Sequence, residues 1–248
     1  MGTVGRRRRR LAVALLASLS FAALMPSGSA QQATCDLELV LAVDTSASVD
    51  HEEYRLQSVG FATAFRDPAV IAAIRSIGGV AVTVIHWSSV DQQWQAVDWR
   101  LLRDARSARA FAAEIERVPR RFSLRGTGLG LALRFAERLI VNNGFRCRRQ
   151  VIDVSGDGQN NVGEEPHLVR DFVVASGITI NGLAILSDDP QLDIYYRADV
   201  VGGDGAFVIT AESYQHFREA IRIKLLREIS PNLARAEMPP EAGATGSQ

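Results

Sequence analysis

Lysine is almost absent from this chain of 248 residues: Lys224 is the only one, and nearly all the positive charge is carried by arginine. A catalyst that depends on lysine is hard to build from such a sequence. Cysteine is scarce too, with Cys35 and Cys147 alone. Two cysteines make a structural zinc site only with histidines nearby, and His51, His86, His167 and His216 show no zinc-type spacing. Long apolar runs are also missing. Residues 11–24 form the most apolar stretch, and it is shorter than the roughly 20 residues a spanning helix needs. No internal repeat is visible.

The first thirty residues have a different character from the rest. Residues 6–10 are all arginine, residues 11–24 are apolar, and residues 28–30 are small, which reads as a signal peptide over 1–30. The mature chain then begins at Gln31, and the protein is expected to be exported, either periplasmic or secreted, from a bacterium. The paired arginines lack a full twin-arginine motif, so the route, Sec or Tat, stays open. Removing this segment takes five of 28 basic residues and none of 28 acidic ones. The mature chain is acidic, and no basic face for nucleic acid is implied.

Residues 31–230 are expected to form one domain and residues 231–248, with Pro239, Pro240, Gly243 and Gly246, a disordered tail. Within the domain, apolar runs at 39–43, 80–87, 150–154, 178–186 and 206–209 read as strands, and 93–99 as an alternating edge strand. Helices are expected at 51–65, 107–118, 129–140, 168–175, 192–200 and 214–229. The first carries Tyr54, Val59, Phe61, Ala62 and Phe65 on one buried face and ends before Pro68. Strands alternating with helices imply an α/β fold, a doubly wound and mostly parallel sheet with helices on both faces.

Oxygen-bearing side chains gather at the ends of the expected strands. Asp44, Ser46 and Ser48 follow the first, alternate along an extended segment and so share a face. Thr127 opens a helix out of a Gly-rich loop, and Asp157 follows the strand at 150–154. In an open α/β sheet, ligands bind beyond the carboxyl ends of the strands. Two carboxylates and three hydroxyls are hard donors, suited to Mg²⁺, Mn²⁺ or Ca²⁺ and not to zinc. For Asp44, Ser46 and Ser48 the plainer reading is a helix N-cap.

In order, Asp44-x-Ser46-x-Ser48, Thr127 and Asp157-Gly158 resemble the metal-ion-dependent adhesion site of a von Willebrand factor A domain. The resemblance covers roughly residues 36–229 and implies a Rossmann-like sheet. More narrowly, the chain is similar to exported single-domain bacterial proteins of this fold. Carried over, Ser46, Ser48 and Thr127 contact the cation, Mg²⁺ first with Mn²⁺ or Ca²⁺ as alternatives, and Asp44 and Asp157 hold its waters. A partner protein's acidic side chain completes the shell, so the implied role is binding and not catalysis. Gly156 departs from the family, which often has Thr or a larger residue there, and is expected to loosen the loop. The fold's usual strand order makes the strands that follow Cys35 and Cys147 parallel neighbours, which suits a Cys35–Cys147 disulfide at the sheet edge opposite the metal.

Two other readings stand beside this one. Residues 156–161, Gly-Asp-Gly-Gln-Asn-Asn, also resemble the fourth motif of Mg²⁺-dependent haloacid-dehalogenase-type phosphohydrolases. Those enzymes need a second Asp where Ser46 stands and a lysine before that motif, whereas Lys224 comes after it. The third reading is a purely structural metal that recruits no partner. Gly126, Gly128 and Gly130 do not have dinucleotide-loop spacing, and no ordered Ser, His and Asp set is found. His86 reads as a buried or rim histidine. Trp87, Trp94 and Trp99 are expected to pack, and Arg120, Arg121 and Arg125 to form a solvated loop near Thr127.

Overall fold

The computed structural model describes residues 1–2, 33–122 and 125–230. All of the described secondary structure belongs to the second of two units, Gln32–Gln248; of the first, Met1–Gln31, only residues 1–2 are described. The expected signal peptide and C-terminal tail lie outside the described residues. Among those residues no helix is long and apolar enough to cross a membrane.

Six strands make one sheet: β1 (Ala33–Asp44), β2 (Val80–Trp87), β3 (Gln93–Leu102), β4 (Phe145–Gly156), β5 (Thr179–Ile185) and β6 (Val208–Ala211). Their order is β3-β2-β1-β4-β5-β6, parallel throughout except for the antiparallel edge strand β3. The helices are α1 (His51–Arg66), α2 (Pro68–Ser76), α3 (Ala105–Ile115), α4 (Leu129–Val141), α5 (Pro166–Ala175), α6 (Leu192–Tyr195) and α7 (Phe217–Ile229), with a π-helical turn Tyr196–Val200 directly after α6. The α/β fold, doubly wound with helices on both faces, is as expected.

Alternation along β1 shows why both faces are covered. Leu37, Leu39, Leu41 and Val43 enter one core with residues of α1, α2, α3 and α7, while Val40 and Ala42 enter the other with residues of α4 and α5. A central strand buried on both sides is therefore apolar at nearly every position. The chain leaves β1 for β2 on one side and resumes on the other at β4, so the strand order switches between β1 and β4. The chain leaves the carboxyl ends of β1 and β4 towards opposite edges of the sheet, and in open α/β sheets the crevice that binds ligands lies at such a switch.

At the opposite end, Cys35 pairs in register with Cys147 and the two are joined by a disulfide, Cα atoms 4.5 Å apart. Several boundaries differ from expectation. Val59 is 37% exposed, and Gln57, Gly60 and Ala64 join Phe61, Ala62 and Phe65 on the buried side of α1. Pro68, read above as a stop, opens α2: proline suits the first helical turn, and Asp67 caps it by accepting from the N–H groups of Ala69 and Val70. β4 begins five residues early, in an arginine-rich half whose side chains are exposed or half-buried and so carry no apolar signal.

Candidate functional site

Asp44 ends β1, and Gly156 ends β4 with Asp157 directly after it, so the two carboxylates face the crevice from adjacent strands. The helix-cap reading of the first segment is excluded. α1 is capped by Asp50, whose carboxylate accepts from the Glu53 N–H at 2.8 Å while Glu53 accepts from the Asp50 N–H at 2.8 Å. Asp44, Ser46 and Ser48 are left free for one another. Asp44 Oδ1 accepts from the Ser46 N–H at 2.7 Å, Ser46 Oγ lies 3.1 Å from Ser48 Oγ, and Ser48 Oγ donates to Asp157 Oδ1 at 2.9 Å.

Thr127 reaches the same place through the loop before α4. Its N–H donates to Asn161 Oδ1 at 2.8 Å and its carbonyl accepts from the Asn161 N–H at 3.0 Å. These paired bonds tie the Thr127 loop to the loop after β4, and Thr127 Oγ1 stands 3.9 Å from where a Cβ on Gly158 would be. All five oxygen-bearing residues singled out in the sequence thus converge. Ser48 alone is exposed, so the cluster opens to solvent on that side.

Electrostatically the site is short of positive charge. Burial, and then the neighbouring Asp157, push the Asp44 carboxyl up to about 8. Burial also raises Asp157, partly offset by hydrogen bonds from Tyr214 at 2.9 Å and from Ser48. Arg120 comes close, but its Nη2 donates to the carbonyls of Ser46, at 2.8 Å, and Thr45, at 3.4 Å, and does not bridge the carboxylates. Asp44 Oδ2 is buried with no hydrogen-bond partner. A buried carboxylate acceptor left in this way is costly unless a cation or water serves it.

A hard divalent cation fits this donor set. Asp44, Asp157, Ser46, Ser48 and Thr127 supply only oxygen, and among the described residues no three His, Cys, Asp or Glu side chains gather as a softer site would need.

Sequence reasoning missed Tyr214 and Tyr196, which carry no motif of their own, read Asn161 only as part of the phosphohydrolase-like segment, and underrated Arg120. It also misjudged Gly156. A Cβ there would stand 2.9 Å from Asp44 Oδ2 and 2.9 Å from the Tyr196 hydroxyl, so this glycine marks tight packing and not a loosened loop. His86 lies buried between the rings of Tyr54 and Trp94, and burial lowers its imidazole to about 4. Trp87 is fully buried, and Trp94 and Trp99 are half-buried.

The sheet, its order and the crevice define a von Willebrand factor A-like fold, and solved structures agree. A structure of proximal thread matrix protein 1 from the mussel byssus, with a zinc-occupied adhesion motif, matches at a TM-score of 0.56 and 15% identity, over 78% of this chain and 49% of that one. The pilus adhesin SpaC from Lactobacillus rhamnosus GG matches at 0.57 and 15%, over 81% and 31%. A von Willebrand factor type A structure from Catenulispora acidiphila matches at 0.53 and 17%, over 79% and 43%. The chain therefore spans about half, or less, of these proteins, and at such identities the likeness establishes the fold. The chain belongs to the family described as protein of unknown function DUF1194, which matches residues 34–233. Curated protein sequences give no match.

Proposed function

We propose that this protein is an exported binding module which engages an acidic side chain of a partner protein through a divalent cation, Mg²⁺ in the first instance. The observation that carries this reading is a pair of buried carboxylates, Asp44 and Asp157, with three hydroxyls and no positive side chain between them. A bound cation supplies the missing charge and an open position for an external oxygen. Ser46, Ser48 and Thr127 would hold it directly, and Asp44 and Asp157 through water. Neighbours of this fold include an adhesin, and one carries zinc in the corresponding motif.

The phosphohydrolase reading loses ground on one further observation. Lys224, the only lysine, is wholly buried, with Nζ 2.6 Å from both Asp153 and Glu228. It is not free to neutralise a phosphoryl group. The purified protein is expected to hydrolyse para-nitrophenyl phosphate no faster than an Asp44→Asn control; turnover lost in that control would establish the enzyme instead. The binding role is tested by pull-down from periplasmic extract in Mg²⁺ and in EDTA. A partner retained by wild type only in Mg²⁺, and not by Asp44→Ala, is expected. Cation binding with no cation-dependent partner would leave the structural metal as the correct reading.

A further inference from the structure

We infer that the Tyr196 hydroxyl is a positioning group for Asp44, one that two glycines on neighbouring strands make room for; this rests on the cation-binding reading above. Tyr196 is fully buried, yet its hydroxyl has no hydrogen-bond partner. Asp44 is fully buried and its Oδ2 has none either. Both oxygens pack against the bare Cα of Gly156, each 2.9 Å from the position of a missing Cβ. Two oxygens that share one neighbouring point at this distance lie within reach of one bridging water, or of a direct hydrogen bond where the side chains turn towards each other.

The slot is built along the length of the tyrosine. A Cβ on Gly182 of β5 would stand 2.7 Å from Tyr196 Cδ1, so the ring lies over that glycine while the hydroxyl reaches Gly156 of β4. Tyr196 opens the π-helical turn, an irregularity often found at functional sites. The other carboxylate has the matching device already closed: Tyr214 donates to Asp157 Oδ2 at 2.9 Å. Each carboxylate therefore has its own buried phenol. Tyr196 holds Asp44 from behind, and the Ser46 N–H holds its other oxygen, so the remaining lone pairs are aimed into the crevice.

The probe is Mn²⁺ titrated into the full chain, with the cation-free melting temperature measured on the same samples. Tyr196→Phe removes only the hydroxyl. It is expected to weaken Mn²⁺ about tenfold, the typical effect of losing one hydrogen bond to a charged group, while leaving the cation-free melting temperature unchanged or slightly raised. Gly156→Ser alone should weaken Mn²⁺ further, because its Cβ meets both oxygens. Combined with Tyr196→Phe, the serine meets one oxygen fewer, and the double variant should lose less affinity than the two single losses multiplied. Wild-type affinity in Tyr196→Phe, or losses that simply multiply in the double variant, would overturn the inference alone. No Mn²⁺ binding by wild type would overturn the cation-binding reading beneath it as well.

Discussion

Two pairs of buried carboxylates lie on or against this sheet, and they differ in what sits between them. Asp153 on β4 and Glu228 on α7 share the Lys224 ammonium, 2.6 Å from each, and Asn181 donates to Glu228 at 3.1 Å. Asp44 and Asp157, at the carboxyl ends of β1 and β4, have hydroxyls and a phenol around them but no ammonium or guanidinium between them. The first pair carries its cation in the sequence; on the proposed reading the second takes one from solution. Burial raises a carboxyl in both places, Glu228 to about 8 and Asp44 to about 8, with Lys224 opposing the shift at Glu228. What separates the structural cluster from the candidate binding site is the source of the positive charge.

The largest effect expected from breaking this contrast is at the internal cation. Lys224→Met strands two buried carboxylates, which typically costs about 3–5 kcal/mol. Urea unfolding should show that loss, and the surviving folded protein should keep its cation affinity.

Next comes the disulfide at the far end of β1 and β4, which spans 112 residues of sequence. Cys35→Ser with Cys147→Ser should remove about 2–4 kcal/mol of stability by freeing the unfolded chain. Because the bond lies opposite the crevice, cation affinity should again hold. A parallel fall in affinity would mean that the two ends of the sheet are coupled.

Supplying the missing cation acts in the other direction. Mg²⁺ at a hundred times its Kd should stabilise wild type by about 2.7 kcal/mol. In Asp157→Ala the gain should vanish, as read by melting temperature with and without EDTA. An equal gain in that variant would place the cation elsewhere.

Acidity gives the sharpest test. A carboxyl raised to about 8 when folded, against an ordinary 3.8, keeps a proton that the unfolded chain releases between about pH 4 and 8. Cation-free stability therefore falls as pH rises through that window and levels off above it. Glu228 adds a fall of the same sign. His86, lowered to about 4, acts oppositely and takes stability away as pH drops below 6.5. Cation affinity isolates the Asp44 and Asp157 pair, because only at this site must binding expel a proton from a carboxyl that burial has raised. Affinity for Mg²⁺ should climb up to about pH 8 and then flatten; a flat profile from pH 5 to 9 would show that Asp44 is not in the shell.

The same contrast explains what the sequence could reveal. Strand β2 was legible to the residue, since Gly78-Gly79 precedes a run that is buried on both faces. The convergence of the five candidate site residues was legible because their chemistry is crowded into short segments beside strand ends. Lys224, Asp153 and Glu228 were not, because a charged residue on a helix or within a strand looks the same whether it meets solvent or a buried partner on another element. Tyr196 and Tyr214 were missed for a related reason: each is apolar in pattern, and only the tertiary fold brings its hydroxyl to a carboxylate. Gly156 was misread because the close approach that requires it comes from residues 112 before and 40 after it.

The most direct test of the missing-cation claim is Mn²⁺ binding counted by electron paramagnetic resonance, in wild type and in Asp44→Ala. One bound Mn²⁺ per wild-type chain, displaced by Mg²⁺ and lost in Asp44→Ala, is the expected result. The same bound Mn²⁺ in both proteins, or none in either, would contradict it.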